Sequence, residues 1–109
     1  MDREPRAVNI AVAGNTYIPC LLALRAKGYA LRQEYLKLSG PDGGYQSWYY
    51  AERGHARFIA DNPIELLGLV AMWEARGDDW MLKPGEAAID DELHAAAKTF
   101  DRDGNEIDD

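Results

Sequence analysis

The chain has 109 residues, 47 % of them hydrophobic and 10 % aromatic, with a formal net charge of −7. That length bounds it to one domain with one core, and that composition is too apolar for a chain disordered throughout. The acidic balance argues against nucleic acid and anionic membrane surfaces as ligands, because affinity there comes mostly from neutralising phosphates.

Val8, Ile10 and Val12 alternate with Asn9, Ala11 and Ala13, the period-two pattern of a short strand. Gly14-Asn15-Thr16 breaks it. Asn15 or Thr16 then caps a first helix, Tyr17 to Lys27, whose first turn accommodates Pro19, and Gly28 stops it. Tyr29 to Leu38 reads as a strand, followed by the dense turn signal Ser39 to Gly44. Tyr45 to Glu52 carries the consecutive aromatics Trp48, Tyr49 and Tyr50, which suit a sheet. Glu52-Arg53-Gly54-His55 forms a tight turn, and Ala56 to Ala60 returns as a short strand. These three runs make an antiparallel meander.

The second helix has the clearest start in the chain. Asn62 stands at the N-cap, Pro63 at N1 and Glu65 at N3, which satisfies the capping-box offset and the preference for proline at the first helical position. Leu66, Leu67, Leu69, Val70, Ala71, Met72 and Trp73 cover almost its whole circumference, so it is expected to be buried on more than one face. Gly77 ends it. Asp90 to Ala97 forms a short helix with acids at its N-terminus, and Phe100 to Ile107 a small turn between two apolar residues.

The fold expected is therefore α+β: strand, helix, three-stranded antiparallel meander, helix, then an acidic C-terminal extension. Residues 1–85 form the compact domain and 86–109 a partly mobile acidic segment. Residues 1–85 hold ten acids and ten bases; residues 86–109 hold nine acids against Lys98 and Arg102, and so carry the entire net charge. A neutral aromatic body with a concentrated acidic segment points to a basic partner.

Candidate catalytic and metal sites are weak beside that charge partition. Asp101-x-Asp103-x-Asn105 resembles the opening of a calcium loop, but Glu106 stands where glycine is needed and the twelfth-position glutamate is missing. A polar turn is the better reading. Cys20, His55 and His94 have no diagnostic spacing for a metal or a triad, and a thiol on an apolar helix is ordinarily a buried small hydrophobe. Gly14-Asn15-Thr16, at a strand-to-helix join, has neither a glycine fingerprint nor a Walker lysine for binding an anion. No catalytic residue, metal or cofactor is assigned. A single cysteine allows no internal disulfide, and no signal-like or membrane-spanning run is visible, so a cytoplasmic location is expected.

The candidate partner-binding residues are Trp48, Tyr50 and Glu52, which share one strand face, with Asp78, Asp79, Trp80, Asp90, Asp91 and Glu92. The acids steer an oppositely charged partner and the aromatics anchor it. The same acids also serve a plainer purpose, as a solvated face that keeps the chain soluble. For the aromatic strand face, exposure to a partner and cover by the C-terminal segment remain equal alternatives.

The order helix, three strands, helix also describes double-stranded RNA-binding domains, but Asp61-Asn62-Pro63-Ile64-Glu65 would repel phosphates where those domains place lysines. A closer likeness runs through Gly14 to Pro19, Asp61 to Leu69 and Glu74 to Trp80: here the chain resembles small bacterial proteins of the immunity-protein kind found beside toxins. That resemblance implies a non-enzymatic inhibitor that plugs the cleft of a toxin enzyme, with a basic nuclease as the natural target. The leading expectation is thus an immunity-type inhibitor of a basic protein. The alternatives are a self-associating structural or regulatory module that dimerises through the apolar face of the second helix, and a small enzyme of unknown reaction.

Overall fold

In the computed structural model, which describes residues 7–108, Asn62 starts the second helix as the capping pattern requires. Its Oδ1 accepts a hydrogen bond from the backbone N–H of Glu65 at 2.9 Å, and Pro63 occupies the first helical position. The chain divides into two compact units, Met1–Asp78 and Asp79–Asp109. The boundary drawn at residue 85 followed composition; the break in packing comes just after this second helix ends.

The first unit runs through a 3₁₀ turn, Gly14–Thr16, and the helix α1, Tyr17–Ala26. The strands β1, Ala30–Lys37, β2, Tyr45–Arg53, and β3, Ala56–Ala60, follow, and then the helix α2, Pro63–Arg76. The strands form one antiparallel sheet in the order β1-β2-β3. This is the expected α+β meander. Trp48 lies opposite Glu34, Tyr50 opposite both Arg32 and Ile59, and Ala51 opposite both Leu31 and Phe58. The β2–β3 link is a two-residue loop in which Gly54 takes φ 58° and His55 does not have positive φ, the pattern of a type II′ hairpin turn.

Because side chains alternate across a strand, register decides which residues face the helices. Leu31, Tyr49, Ala51, Phe58 and Ala60 face α1 and α2, where Leu24, Tyr29, Ala51, Leu66 and Val70 make the fully buried core. Edge-to-face contacts of Tyr29 with Phe58 (6.0 Å) and of Phe58 with Trp73 (5.6 Å) extend it. Two polar clasps meet at Lys27, one tying α1 to α2 and the other tying the end of α1 to β2. Lys27 pairs with Glu74 at 3.0 Å, and Arg53 donates to the Lys27 carbonyl at 2.7 Å while lying over the Tyr29 ring.

Three expectations need correction. Residues 8–12 form no strand: they join no ladder, and Val8, Ile10 and Val12 are 83, 78 and 76 % exposed. Alternation specifies which face a strand would bury, but pairing is a tertiary event, and here no neighbouring strand takes it up. The side chain at the N-cap of α1 does not cap it either. Thr16 Oγ1 donates back to the Ala13 carbonyl at 2.6 Å and closes the 3₁₀ turn instead. Finally, α2 is buried along one stripe, Pro63, Leu66 and Val70, while Gly68, Leu69 and Ala71 are exposed. Among the described residues of its unit α2 lies against one sheet face and α1, and its far side is left uncovered by them.

The second unit contains α3, Ala88–Ala96, and a hairpin of β4, Thr99–Phe100, and β5, Glu106–Ile107. Asp101 organises that hairpin: its Oδ1 accepts from the amides of Asp103 (3.0 Å) and Asn105 (2.9 Å). Among the described residues this unit has no buried side chain.

Candidate functional site

Trp48, Tyr50 and Glu52 lie on the face of β2 that points away from α1 and α2, as the strand period requires. The register brings three residues to them that sequence reasoning did not single out: Arg32 and Glu34 from β1, and Arg57 from β3. Together they make a closed polar and aromatic lattice. The Arg32 guanidinium donates to Glu34 at 2.6 Å and to Glu52 at 3.0 Å, and Arg57 pairs with Glu52 at 3.4 Å. Arg32 also stacks on the Tyr50 ring with its Cζ 3.9 Å from the centroid, and the Trp48 indole N–H is shared between Glu34 Oε1 (3.1 Å) and the Tyr50 hydroxyl (2.9 Å).

These contacts fix the electrostatics. The Glu34 carboxyl is held below its ordinary value of 4.5, first by the Tyr50 hydroxyl and next by the Trp48 indole. Tyr50 thus accepts from Trp48 and offers its own proton toward Glu34. Glu52 is lowered chiefly by its hydrogen bond from Arg32, and that bond in turn raises Arg32 above its already high value. Trp48, Tyr50 and Glu52 are half-buried, with their polar atoms engaged by neighbours. The face is a preorganised plate of flat side chains, a surface that loses little side-chain freedom on contact. Its members were findable only as alternate positions on three adjacent strands (32 and 34, 48 to 52, and 57) once a register was assumed.

The remaining candidates divide between the units. Asp78, just past the end of α2, accepts from the Trp73 indole N–H at 2.9 Å and so closes the helix end. In the second unit, Asp79 pairs with Lys83 at 3.5 Å, and Lys83 also donates to the Asp79 carbonyl at 3.0 Å. Trp80 is 45 % exposed. Asp90 lies 3.6 Å from His94 one turn on, while Asp91 and Glu92 project from α3 into solvent. Ile89, Leu93 and Ala96 form the opposite, apolar stripe of that helix, and all three are exposed.

The weaker sites resolve into local structure. Asp101, first residue of the calcium-like string, commits one carboxylate oxygen to two backbone amides. Cys20 is half-buried on α1, and His55 and His94 are exposed. Among the described residues no group of three or more His, Cys, Asp or Glu is placed to hold a metal ion, and no helix is long and apolar enough to cross a membrane.

No family model, no curated protein and no solved structure matches the chain. The likeness to immunity proteins rests on the sequence segments alone.

Proposed function

We propose that this chain is a non-enzymatic protein-binding module that captures a basic protein, acting as an immunity-type inhibitor of a partner such as a toxin enzyme. The observation that carries the reading is the match between charge and architecture. Unit Met1–Asp78 holds nine acids and nine bases, while unit Asp79–Asp109 holds ten acids against Lys83, Lys98 and Arg102. The whole net charge of −7 therefore falls on the unit without a buried side chain among its described residues. Such a segment speeds encounter with a positive surface through its long-range field, and exposed apolar groups beside the acids (Trp80, Ile89, Leu93) hold what the field brings in.

In this reading Asp79, Asp90, Asp91 and Glu92 steer the partner, and the Trp48–Tyr50 plate offers a second, rigid contact. Asp78 contributes mainly by closing α2. The test is affinity capture from cells of the source organism at low and moderate salt, comparing the full chain with a D90N/D91N/E92Q variant. A stoichiometric basic protein held by the first and released from the second, with its activity blocked by the first, supports the proposal. Capture that ignores both salt and the three amides overturns it.

A further inference from the structure

The first unit contains a groove that none of the candidate residues above touch. It is an open cup of about 460 Å³ where β3 runs into α2, lined by Ile59, Ala60, Asp61, Glu65, Gly68 and Leu69. Its floor is apolar: Ile59 and Leu69 are 49 and 37 % exposed, and the missing side chain of Gly68 leaves open space above the helix. Its rim is acidic. Among the described residues neither the Asp61 nor the Glu65 carboxylate takes part in an ion pair or side-chain hydrogen bond; only the backbone N–H of Glu65 is used, by the Asn62 cap. β3 is also an edge strand, and among the described residues no backbone hydrogen bond from outside the sheet reaches its outer side.

We propose that this groove docks an extended segment of a basic protein. The segment lies along the free edge of β3 and lays one lysine or arginine side chain into the cup. The aliphatic stem of such a side chain covers Ile59, Gly68 and Leu69 while its cationic head meets Asp61 and Glu65. Strand addition at an open edge supplies main-chain hydrogen bonds of the kind seen wherever peptides extend a sheet. Charge decides the occupant. The start of α2 contributes a partial positive charge of roughly half a unit, which two unpaired carboxylates outweigh. An acidic segment would meet those carboxylates head-on. The inference rests on the proposed capture of a basic partner and assigns that partner a further, specific contact within the first unit.

The test is an NMR titration of the full ¹⁵N-labelled chain with the peptide acetyl-Lys-Val-Lys-Val-Lys-Val-amide, and with its Glu-for-Lys counterpart as control. Saturable shift changes should centre on residues 57–69 with the lysine peptide and be missing with the glutamate peptide. Asp61→Asn with Glu65→Gln should weaken that binding roughly three- to tenfold, the size expected of two exposed ion pairs. Gly68→Leu keeps every charge but sets a branched side chain above the helix where the lysine stem would lie, and should abolish that binding. Shifts confined to residues 79–108, or groove shifts that survive both changes, overturn the proposal. The two readings fail separately, because the D90N/D91N/E92Q capture experiment reports on the acidic unit and this titration reports on the groove.

Discussion

Glu34 and Trp48 face each other across β1 and β2, and the indole N–H of Trp48 reaches Glu34 Oε1 at 3.1 Å. This pair belongs to the polar lattice of the outer sheet face, and that lattice predicts a dependence of stability on acid. The Glu34 and Glu52 carboxyls are both held below 4.5 in the folded chain. A carboxyl with a lower folded than unfolded pKa binds fewer protons when folded. Its stabilising effect is complete above the unfolded value and is lost as pH falls through the folded one. Thermal melts followed by circular dichroism should therefore be steady above pH 4.5 and fall below it, and E34Q/E52Q should flatten that fall. An equal slope in the variant would place the acid sensitivity elsewhere.

Asn62→Ala should cost about 1 kcal/mol, because it removes the side-chain acceptor for the Glu65 amide at the start of α2. Asn62→Asp keeps that acceptor and should be close to neutral. Urea denaturation of the three proteins separates the outcomes. A loss shared by both variants would mean that Asn62 acts through its amide nitrogen rather than its oxygen.

Tyr29 is 3 % exposed and its hydroxyl has no hydrogen-bond partner among the described residues, whereas its ring packs on Phe58 and under Arg53. Burying an unpaired hydroxyl is unfavourable, so Tyr29→Phe should leave stability unchanged or raise it by up to about 1 kcal/mol. The same denaturation measurement checks it. A loss larger than about 1 kcal/mol would mean that the hydroxyl has found a partner in solution.

The sequence made the α+β meander legible because its signals are local. Asn62-Pro63-Ile64-Glu65 carries its own cap, Gly54-His55 its own hairpin, and the aromatic run of β2 its own extended preference. What it could not give depended on tertiary partners. Val8 to Val12 alternates as a strand should, yet no edge takes it up. Trp48 and Tyr50 were visible as a face, but Arg32, Glu34 and Arg57 joined it only through register, which turned an apolar-looking patch into an ionic one. The acidic cluster was visible as composition. That the chain divides into compact units between residues 78 and 79 follows from packing within each unit, which composition does not encode.

Gly68 ties stability to the groove beside it. It sits in α2, its φ is not positive, and an added Cβ would meet nothing within 4 Å. Glycine inside a helix is less favourable than alanine by roughly 0.8–1.0 kcal/mol, through the backbone entropy it loses on folding. Gly68→Ala should therefore stabilise the protein by about that amount and raise its melting temperature by a few degrees. The gain should appear in urea as a shifted midpoint with an unchanged slope. A methyl group leaves a cup of about 460 Å³ open, so peptide docking at Ile59 and Leu69 should persist in this variant, while the longer side chain of Gly68→Leu blocks the path of the stem. If Gly68→Ala instead destabilises the protein, the space above Gly68 is occupied in solution by part of this chain or by a second copy. Repeating the melt over a range of protein concentrations tells the two apart, because only a second copy makes the loss depend on concentration.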